Sequence, residues 1–252
     1  MGKVIAFSSI KGGVGKTTCA ANFSYLLSSL GYNTLVIDGN LSGANLAMQF
    51  GIDLKNANTL HHVMLNRKKV LDAIYLHPKS GLKILPGSID YELIMKVKAK
   101  GLSNTLEKIR DLFDYIILDT PAGINENLLA CIEASDEVLG ITTQDVASIG
   151  ETLKLLELCS QLGKEVRGII INKYNKRFGL LLDQLKKFLG KEIIGVINED
   201  PKVSEATEYL SPVVEIFPRA RASRDFNDAV LCYLGMKRKE SLVERMFRLF
   251  YK

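Results

Sequence analysis

Residues 8–18 read SSIKGGVGKTT and follow a short apolar run at residues 4–7. The three glycines free the backbone to adopt conformations that other residues resist, so that successive N–H groups can converge on one anion. The lysine and threonines that end the segment begin a helix-like stretch at residues 16–30. A glycine-rich loop between a strand and a helix N-terminus predicts a binding site for phosphate groups.

The residues after the glycines have the chemistry that a bound triphosphate requires. We expect Lys16 to reach the β- and γ-phosphates and the hydroxyl of Thr17 to ligate Mg²⁺. Ile10 stands where the general P-loop pattern has its first glycine, although the glycine cradle itself is intact. The alternative is a purely structural turn, which eight consecutive matching residues in a strand–loop–helix context disfavour. The predicted nucleotide-binding residues of this loop are Lys11, Gly12, Gly13, Val14, Gly15, Lys16, Thr17 and Thr18.

Outside this loop, short β-rich apolar runs alternate with longer amphipathic stretches. The alternation predicts an α/β fold with a doubly wound, mostly parallel sheet and helices on both faces, as in P-loop NTPases. Strands are predicted at residues 4–7, 34–37, 83–85, 115–118, 137–141, 166–171 and 193–196. Helices are predicted at residues 16–30, 102–112, 125–134, 149–162, 180–189, 203–210 and 222–234. We expect residues 1–236 to form one P-loop ATPase domain.

Three polar side chains stand at the ends of predicted strands. Asp38 and Asp119 end apolar strands, where a buried carboxylate is costly unless it meets a cation or hydrogen-bond donors. We therefore expect both near Mg²⁺ and its waters, with a helix N-cap as the alternative for either one. Asn172 offers a carbonyl and an amide that match the edge of adenine, and its alternative is an ordinary turn residue.

Lys11, five residues before Lys16, has no role in the general P-loop pattern. The stretch KGGVGKTT at residues 11–18 resembles the signature of the MinD/ParA family of deviant Walker A ATPases, and most of all its archaeal-type MinD-like members. VIDGNLSGANLA at residues 36–47 resembles the first switch of that family. YIILDTPAGI at residues 115–124 resembles the Walker B strand and second switch, and IIINKYN at residues 169–175 the end of the base-binding strand.

The resemblance implies ATP as the nucleotide, Mg²⁺ as the metal, and a homodimer in the ATP state. In such a dimer Lys11 crosses the interface to the nucleotide of the partner subunit. The resemblance also implies that Asn172 selects adenine and that Asp200, within NEDP at residues 198–201, belongs to the other wall of the base pocket.

The first switch of most relatives reads D-x-D, where this chain has Asp38, Gly39 and Asn40. An amide can orient a water molecule by hydrogen bonding, but it cannot accept a proton. Phosphoryl transfer relies more on positioning and charge neutralisation than on a strong base. We therefore predict slow ATP hydrolysis, with Lys11, Lys16 and Asn40 as the catalytic residues.

Most of the formal net charge of +5 lies at the end of the chain, because residues 237–252 carry +4. Projected on a helix, residues 242–252 separate an apolar face from a charged one. This pattern predicts a basic tether followed by a membrane anchor at residues 241–252, which would bind an anionic membrane surface. The alternative is a last helix packed on the sheet of its own domain. With no predicted signal peptide, the chain is expected in the cytoplasm, peripherally attached to the inner face of the cell membrane.

These features together predict an ATP-dependent switch of the MinD type that recruits an unidentified regulator or cargo protein and positions cell-division or polar machinery. A ParA-like partition ATPase that binds DNA through Arg219, Arg221 and Arg224 is the alternative, which the charge of only +1 before the tail weakens. A metal-cluster carrier would need Cys131, which lies in an apolar helical stretch. The four cysteines are predicted to be buried thiols, and His61 and His62 to be surface residues.

Overall fold

A computed structural model describes residues 2–236, so the predicted tether and anchor at residues 237–252 lie outside the described part of the chain. The strands are β1 (Lys3–Ser8), β2 (Thr34–Asp38), β3 (Tyr75–Leu76), β4 (Lys83–Leu85), β5 (Tyr115–Asp119), β6 (Glu137–Thr142), β7 (Glu165–Tyr174) and β8 (Ile193–Asn198). The α-helices are α1 (Lys16–Ser29), α2 (Leu60–Met64), α3 (Tyr91–Lys96), α4 (Gly101–Glu107), α5 (Glu126–Ala134), α6 (Val146–Gln161), α7 (Leu182–Leu189), α8 (Pro201–Glu208), α9 (Val213–Ile216) and α10 (Arg221–Tyr233). Short 3-10 helices lie at Leu46–Phe50, Val70–Ala73 and Arg110–Leu112.

Within residues 2–236 the strands form one eight-stranded sheet in the order β3-β4-β2-β5-β1-β6-β7-β8. All neighbouring pairs are parallel except β3 and β4, which are antiparallel. Strand β1 lies between β5 and β6, so the glycine-rich loop leaves the middle of the sheet. Strand order changes direction on either side of β1, and ligands of open α/β sheets bind at such a switch point.

Alternate residues of β1 pack on opposite faces of the sheet, because successive side chains of a strand point in opposite directions. Ile5 and Phe7 belong to an apolar cluster with Phe23 of α1 and Phe226 of α10. Val4 belongs to a different cluster, which contains residues of α4 and α5. Helices therefore cover both faces, and the predicted fold class is confirmed.

Two predicted helices differ from the structure by three or more residues at one end, and the others differ by one or two. The helix predicted at residues 102–112 ends at Glu107, because the backbone leaves the helical region at Ile109 (φ −126°). The buried Ile109 then packs in the same cluster as the buried Leu106. Helix α6 begins three residues earlier than predicted, since Asp145 caps it by accepting a hydrogen bond from the Ser148 N–H (3.0 Å).

Two predictions were wrong about solvent exposure: His61 was predicted at the surface and Cys232 in the interior. His61 is fully buried: its Nε2 lies 2.9 Å from the Leu41 carbonyl, and its Nδ1 accepts the Ser88 N–H (3.1 Å). It therefore ties together two loops rather than facing solvent. Cys232 is exposed, whereas the other three cysteines of the described residues are buried as predicted. No helix within residues 2–236 combines the length and apolar character needed to cross a membrane.

Candidate nucleotide site

The carboxyl ends of β1, β2 and β5 meet at one edge of the sheet. The parallel register places Asp38 beside Asp119, and Phe7 of β1 on the other side of Asp119. The glycine-rich loop leaves this edge directly after β1. The fold therefore brings together the phosphate loop and the two carboxylates, which lie 81 positions apart in the sequence.

The phosphate loop has the backbone geometry of an anion cradle. Gly13 (φ 77°) and Gly15 (φ 92°) adopt the left-handed conformation that glycine tolerates best. Among residues 9–19, the first backbone N–H to find a partner within the described chain is that of Cys19, which donates to the Gly15 carbonyl (2.9 Å). The preceding N–H groups at the start of α1 are thus available to an anion.

Strand β7 supports the cradle from the side. The amide of Asn172 donates to the Val14 carbonyl (2.8 Å), and the ammonium of Lys173 donates to the Gly13 carbonyl (2.9 Å). Both bonds give carbonyl groups of the loop a donor, whereas the loop N–H groups before Cys19 have no partner within the described residues. Asn172 thus positions the loop, in addition to the role in base recognition that its sequence context predicts.

Lys16 is a nearly buried cation at the start of α1, with 8% of its surface exposed. Within residues 2–236 its ammonium forms no ion pair or hydrogen bond with a protein group. Burial lowers the pKa of this ammonium, and the negative charge of Asp119 opposes that shift. A desolvated cation beside free N–H groups fits a phosphate ligand, because a buried charge is stable only when it is paired.

Asp38 and Asp119 are both buried, and burial raises the pKa of each carboxyl group. The charge of Asp38 raises the pKa of Asp119 further, whereas a hydrogen bond from Thr17 and the charge of Lys16 lower it. Asp119 Oδ1 has no hydrogen-bond partner among the described residues. Two neighbouring carboxylates, one of them with an unpartnered oxygen among the described residues, therefore fit a nearby cation.

Asp38 is already held by backbone donors. Its Oδ1 accepts the N–H of Asn40 (3.1 Å), and its Oδ2 accepts those of Asn45 (2.9 Å) and Leu46 (3.0 Å). These bonds lower the pKa that burial raises. Asp38 therefore shapes the loop after β2 and adds negative charge to the site.

The donor set fits Mg²⁺ rather than an ion held by the protein alone. No group of three or more His, Cys, Asp or Glu side chains in the described range is arranged to hold a metal. Asp119 and the Thr17 hydroxyl supply hard oxygen donors, and Mg²⁺ typically takes its remaining ligands from water and phosphate. The residues present therefore fit a magnesium ion that arrives with a nucleotide.

A cavity of about 290 Å³ lies beside the phosphate loop, between the ends of β7 and β8 and helix α8. Its lining includes Gly15, Thr18, Asn172 and Asp200, so the two residues predicted for the base pocket meet the loop in one cavity. Asp200 caps α8 by accepting the Lys202 N–H (3.0 Å). Asp200 Oδ2 accepts the N–H of Ala222, the second residue of α10 (3.1 Å).

The side chain of Lys11 does not line the cavity beside the phosphate loop. Its ammonium donates to Asp145 Oδ1 (2.8 Å) and to Ser148 Oγ (2.9 Å), at the N-terminus of α6. Partial burial raises the pKa of Asp145, but hydrogen bonds from Lys11, Thr143 and Ser148 outweigh it and hold that pKa well below its usual range. The ammonium of Lys11 therefore contacts the start of α6 and, among the described residues, no group of its own phosphate loop.

Sequence reasoning missed Asp145, Ser148 and Lys173. The first two form an N-cap pair three positions apart, a pattern that precedes many helices and was visible in the sequence. Lys173 lies within IIINKYN at residues 169–175, and nothing in its sequence context indicates that it contacts Gly13. Cys131, the candidate for a metal cluster, is fully buried, which raises the pKa of its thiol and disfavours the thiolate that metals bind.

Replacing Gly15 with alanine is expected to lower the free energy of unfolding by about 1–2 kcal/mol and to abolish tight nucleotide binding. The added Cβ would be forced into a left-handed conformation and would overlap the Asn172 side-chain nitrogen. Urea unfolding and fluorescent-nucleotide titration would measure both effects. Gly163→Ala is the matched control, because Gly163 has φ 64° and open space around it. Equal loss of nucleotide affinity in the two variants would contradict this role of Gly15.

Comparison with known proteins identifies the family of this chain. The profile of the AAA domain family matches residues 2–171. The chain is 30% identical to an uncharacterised ATP-binding protein of Methanocaldococcus jannaschii, over 98% of this chain and 96% of that protein. The crystal structure of the Pyrococcus furiosus cell division ATPase MinD superposes with a TM-score of 0.89 and 30% identity, covering 93% and 99% of the two chains. The solved structure of the septum site-determining protein MinD from Pyrococcus horikoshii, complexed with Mg-ADP, superposes with a TM-score of 0.87 and 29% identity. It covers 91% of this chain and 95% of that one. The chain therefore belongs to the MinD/ParA family of P-loop ATPases.

Proposed function

We propose that this chain is an ATP-dependent dimerising switch of the MinD type. It binds Mg-ATP at the phosphate loop, attaches to the membrane in the ATP state, and recruits a regulator or cargo protein that positions cell-division or polar machinery. The observation that carries this proposal is the state of Lys11. Its ammonium is bound to Asp145 and Ser148, although it stands in a loop whose other residues form the phosphate cradle.

The surroundings of Lys11 support its role at a dimer interface. Ile124, the last residue of the second switch segment, is 58% exposed, and Val146 at the start of α6 is 74% exposed. The N–H of Gly123 donates to the Ile10 carbonyl (2.8 Å), so that the second switch lies against the residue before Lys11. Exposed apolar side chains around a cation suit an interface that forms in one nucleotide state. There Lys11 would exchange Asp145 for the phosphates of the partner subunit.

Within one subunit, the residues of the site divide the work of binding ATP. Lys16 and the loop N–H groups bind the phosphates, while Asn172 and Asp200 line the cavity for the base. Mg²⁺, when bound, neutralises charge on the phosphate oxygens. Thr17 and Asp119 are its proposed protein ligands. Asp38 lies beside them and contributes charge while it holds the first switch loop.

The first switch residue Asn40 is proposed to slow hydrolysis. Its amide donates to the Gly43 carbonyl (2.6 Å), which folds the side chain onto its own loop. An aspartate at position 40 could not donate this bond and would repel Asp38, so its carboxylate would turn away and become available to orient water.

We expect Asn40→Asp to raise the single-turnover rate of ATP hydrolysis by about tenfold or more. Asn45→Asp is the matched control, because the Asn45 amide also donates to the Gly43 carbonyl (3.1 Å). A rate that stays unchanged in Asn40→Asp, or that rises equally in both variants, would rule out this role for Asn40.

The membrane part of the proposal depends on residues 241–252, which lie outside the described residues. It is supported by the separation of apolar and charged faces in that segment and by the net charge of +4 over residues 237–252. A single short anchor binds weakly, whereas a dimer presents two anchors and gains through effective concentration. The chain would thus stay in the cytoplasm with ADP and reach the inner face of the membrane with ATP.

The proposal is tested by co-sedimentation with anionic liposomes in the presence of Mg-ATP or Mg-ADP. The full chain is expected to sediment with ATP only. Lys11→Ala and a chain ending at residue 240 are expected to stay in solution, whereas Lys154→Ala, which changes a largely exposed lysine of α6, should behave like the unmodified chain. Full membrane binding by Lys11→Ala, with sedimentation velocity showing a monomer, would refute the coupling of dimerisation to attachment.

A further inference from the structure

A second cavity, which we call the basic cavity, lies between the end of α2 and the start of α4. Its volume is about 550 Å³, within the usual range for ligand pockets. Val63, Met64 and Val70 form an apolar part of its lining, and all three pack partly against the core. The remaining lining residues are polar or basic, and they are Asn66, Arg67, Lys68, Lys69, Gly101, Asn104, Thr105 and Lys108. The basic cavity shares no residue with the phosphate loop or the base pocket.

Positive charge is concentrated around the basic cavity. Four cations line it, Arg67, Lys68, Lys69 and Lys108, and no aspartate or glutamate belongs to its lining. Within residues 2–236, none of the four cations that line the cavity forms an ion pair. Their charge is therefore directed to solvent and to any ligand.

The field of these cations already acts on a neighbouring residue. Partial burial lowers the pKa of His62 in α2, and the charges of Arg67 and Lys68 lower it further, opposed by Asp90. Unneutralised positive charge at a concave site attracts anionic partners and speeds their association.

The backbone holds the basic run in place. Helix α2 ends in a turn in which Asn66 adopts the left-handed conformation (φ 55°) and the Arg67 N–H donates to the His62 carbonyl (2.8 Å). This pattern is a common helix C-terminus, and asparagine is one of the residues that tolerate it. The turn fixes the direction of the backbone at Arg67. The basic residues that follow therefore start from a hydrogen-bonded position.

We propose that the basic cavity binds a short acidic segment of a partner protein, with an apolar side chain of that segment against Val63, Met64 and Val70. We choose an acidic peptide because the lining is both basic and apolar, and such a peptide can place a carboxylate and an apolar side chain at neighbouring positions. Duplex DNA would need a longer basic surface and would leave the apolar part of the lining unused. The cavity thus gives the switch a docking site that does not depend on the nucleotide.

The probe for this proposal is a fluorescein-labelled peptide of alternating glutamates and leucines, titrated with the full chain and followed by fluorescence anisotropy without nucleotide. We expect saturable binding that weakens steeply with added salt. The triple variant R67E/K68E/K69E should bind at least about tenfold more weakly. The control K186E/K187E reverses two exposed lysines of α7, outside the basic cavity, and should bind like the unmodified chain.

A second variant separates a cavity from a merely charged patch. Gly101 lines the basic cavity, and a Cβ there would approach only the flexible end of Met64 (3.3 Å). Gly101→Leu would fill the cavity without changing charge, and leucine is favourable in a helix, so folding should be retained. We expect it to weaken peptide binding by about tenfold as well. The proposal is overturned if Gly101→Leu binds the peptide normally, or if duplex DNA or anionic vesicles bind through Arg67, Lys68 and Lys69 while the peptide does not.

Discussion

Replacing Lys16 with glutamine is expected to lower kcat/KM for ATP hydrolysis by about 10²–10³. The ammonium of Lys16 is nearly buried beside the free N–H groups of the loop and has no ion pair within the described residues. In the ATP-free protein this desolvated charge costs stability, and it becomes favourable only when phosphate pairs with it. Glutamine keeps most of the length of the side chain but removes the charge.

The Lys16 variant should therefore separate function from folding. Its free energy of urea unfolding without nucleotide should equal or exceed that of the unmodified chain, while nucleotide affinity and turnover fall. Lys154→Gln is the control, because that lysine is largely exposed on α6. A parallel loss of stability and turnover would show instead that Lys16 supports the fold.

Replacing Asp119 with asparagine is expected to abolish Mg²⁺-dependent turnover and to stabilise the nucleotide-free protein by about 1–3 kcal/mol. Asp119 is 2% exposed, and its Oδ1 has no hydrogen-bond partner within the described chain. Asparagine has nearly the same shape but carries no charge, so it avoids the cost of burying a carboxylate next to Asp38. It is also a poor ligand for Mg²⁺, which prefers carboxylate oxygen.

The pH dependence of stability tests the same charge. Burial, and then the charge of Asp38, raise the pKa of Asp119 to about 7, whereas an aspartate in the unfolded chain titrates near 4. Between these values the folded protein holds more protons than the unfolded chain, so the free energy of unfolding falls as pH rises from about 4 to about 7. We expect a smaller decline in Asp119→Asn, where one of the two coupled groups cannot ionise.

Urea unfolding at several pH values within this window would measure the decline. The exposed Asp183 of α7 provides a matched control, since Asp183→Asn should keep the unmodified pH profile. If Asp119→Asn keeps the full decline, the burial of charge at Asp119 is not its cause. If it keeps Mg²⁺-dependent turnover, Asp119 is not a ligand of the metal.

Much of the fold could be predicted from the sequence because its signals are local. Each long strand is an apolar run, and most of the long helices have an amphipathic pattern, so seven of the eight described strands were predicted. Strand β3 has only two residues at the sheet edge, and α2 and α9 have about one turn, too few for a period to emerge. Helix α4 ends at Glu107, and this end depends on the packing of Ile109 in the core, which the local sequence does not show.

The phosphate loop, the alternation of strands and helices, and the two acidic residues at strand ends can all be identified without a structure. Glycine spacing and the order of residue types encode these features within short segments, and parallel strands place their carboxyl ends together without further information. The family resemblance rests on the same short segments.

The partners of these residues, by contrast, depend on how distant parts of the chain pack together. Lys11 meets Asp145 across 134 positions, and the Asn172 amide reaches Val14 across 158. His61 is buried because two loops close over it, and the basic cavity exists because α2 and α4 pack side by side. Such contacts arise when segments far apart in the sequence pack together. A local sequence pattern does not show which distant segments will meet.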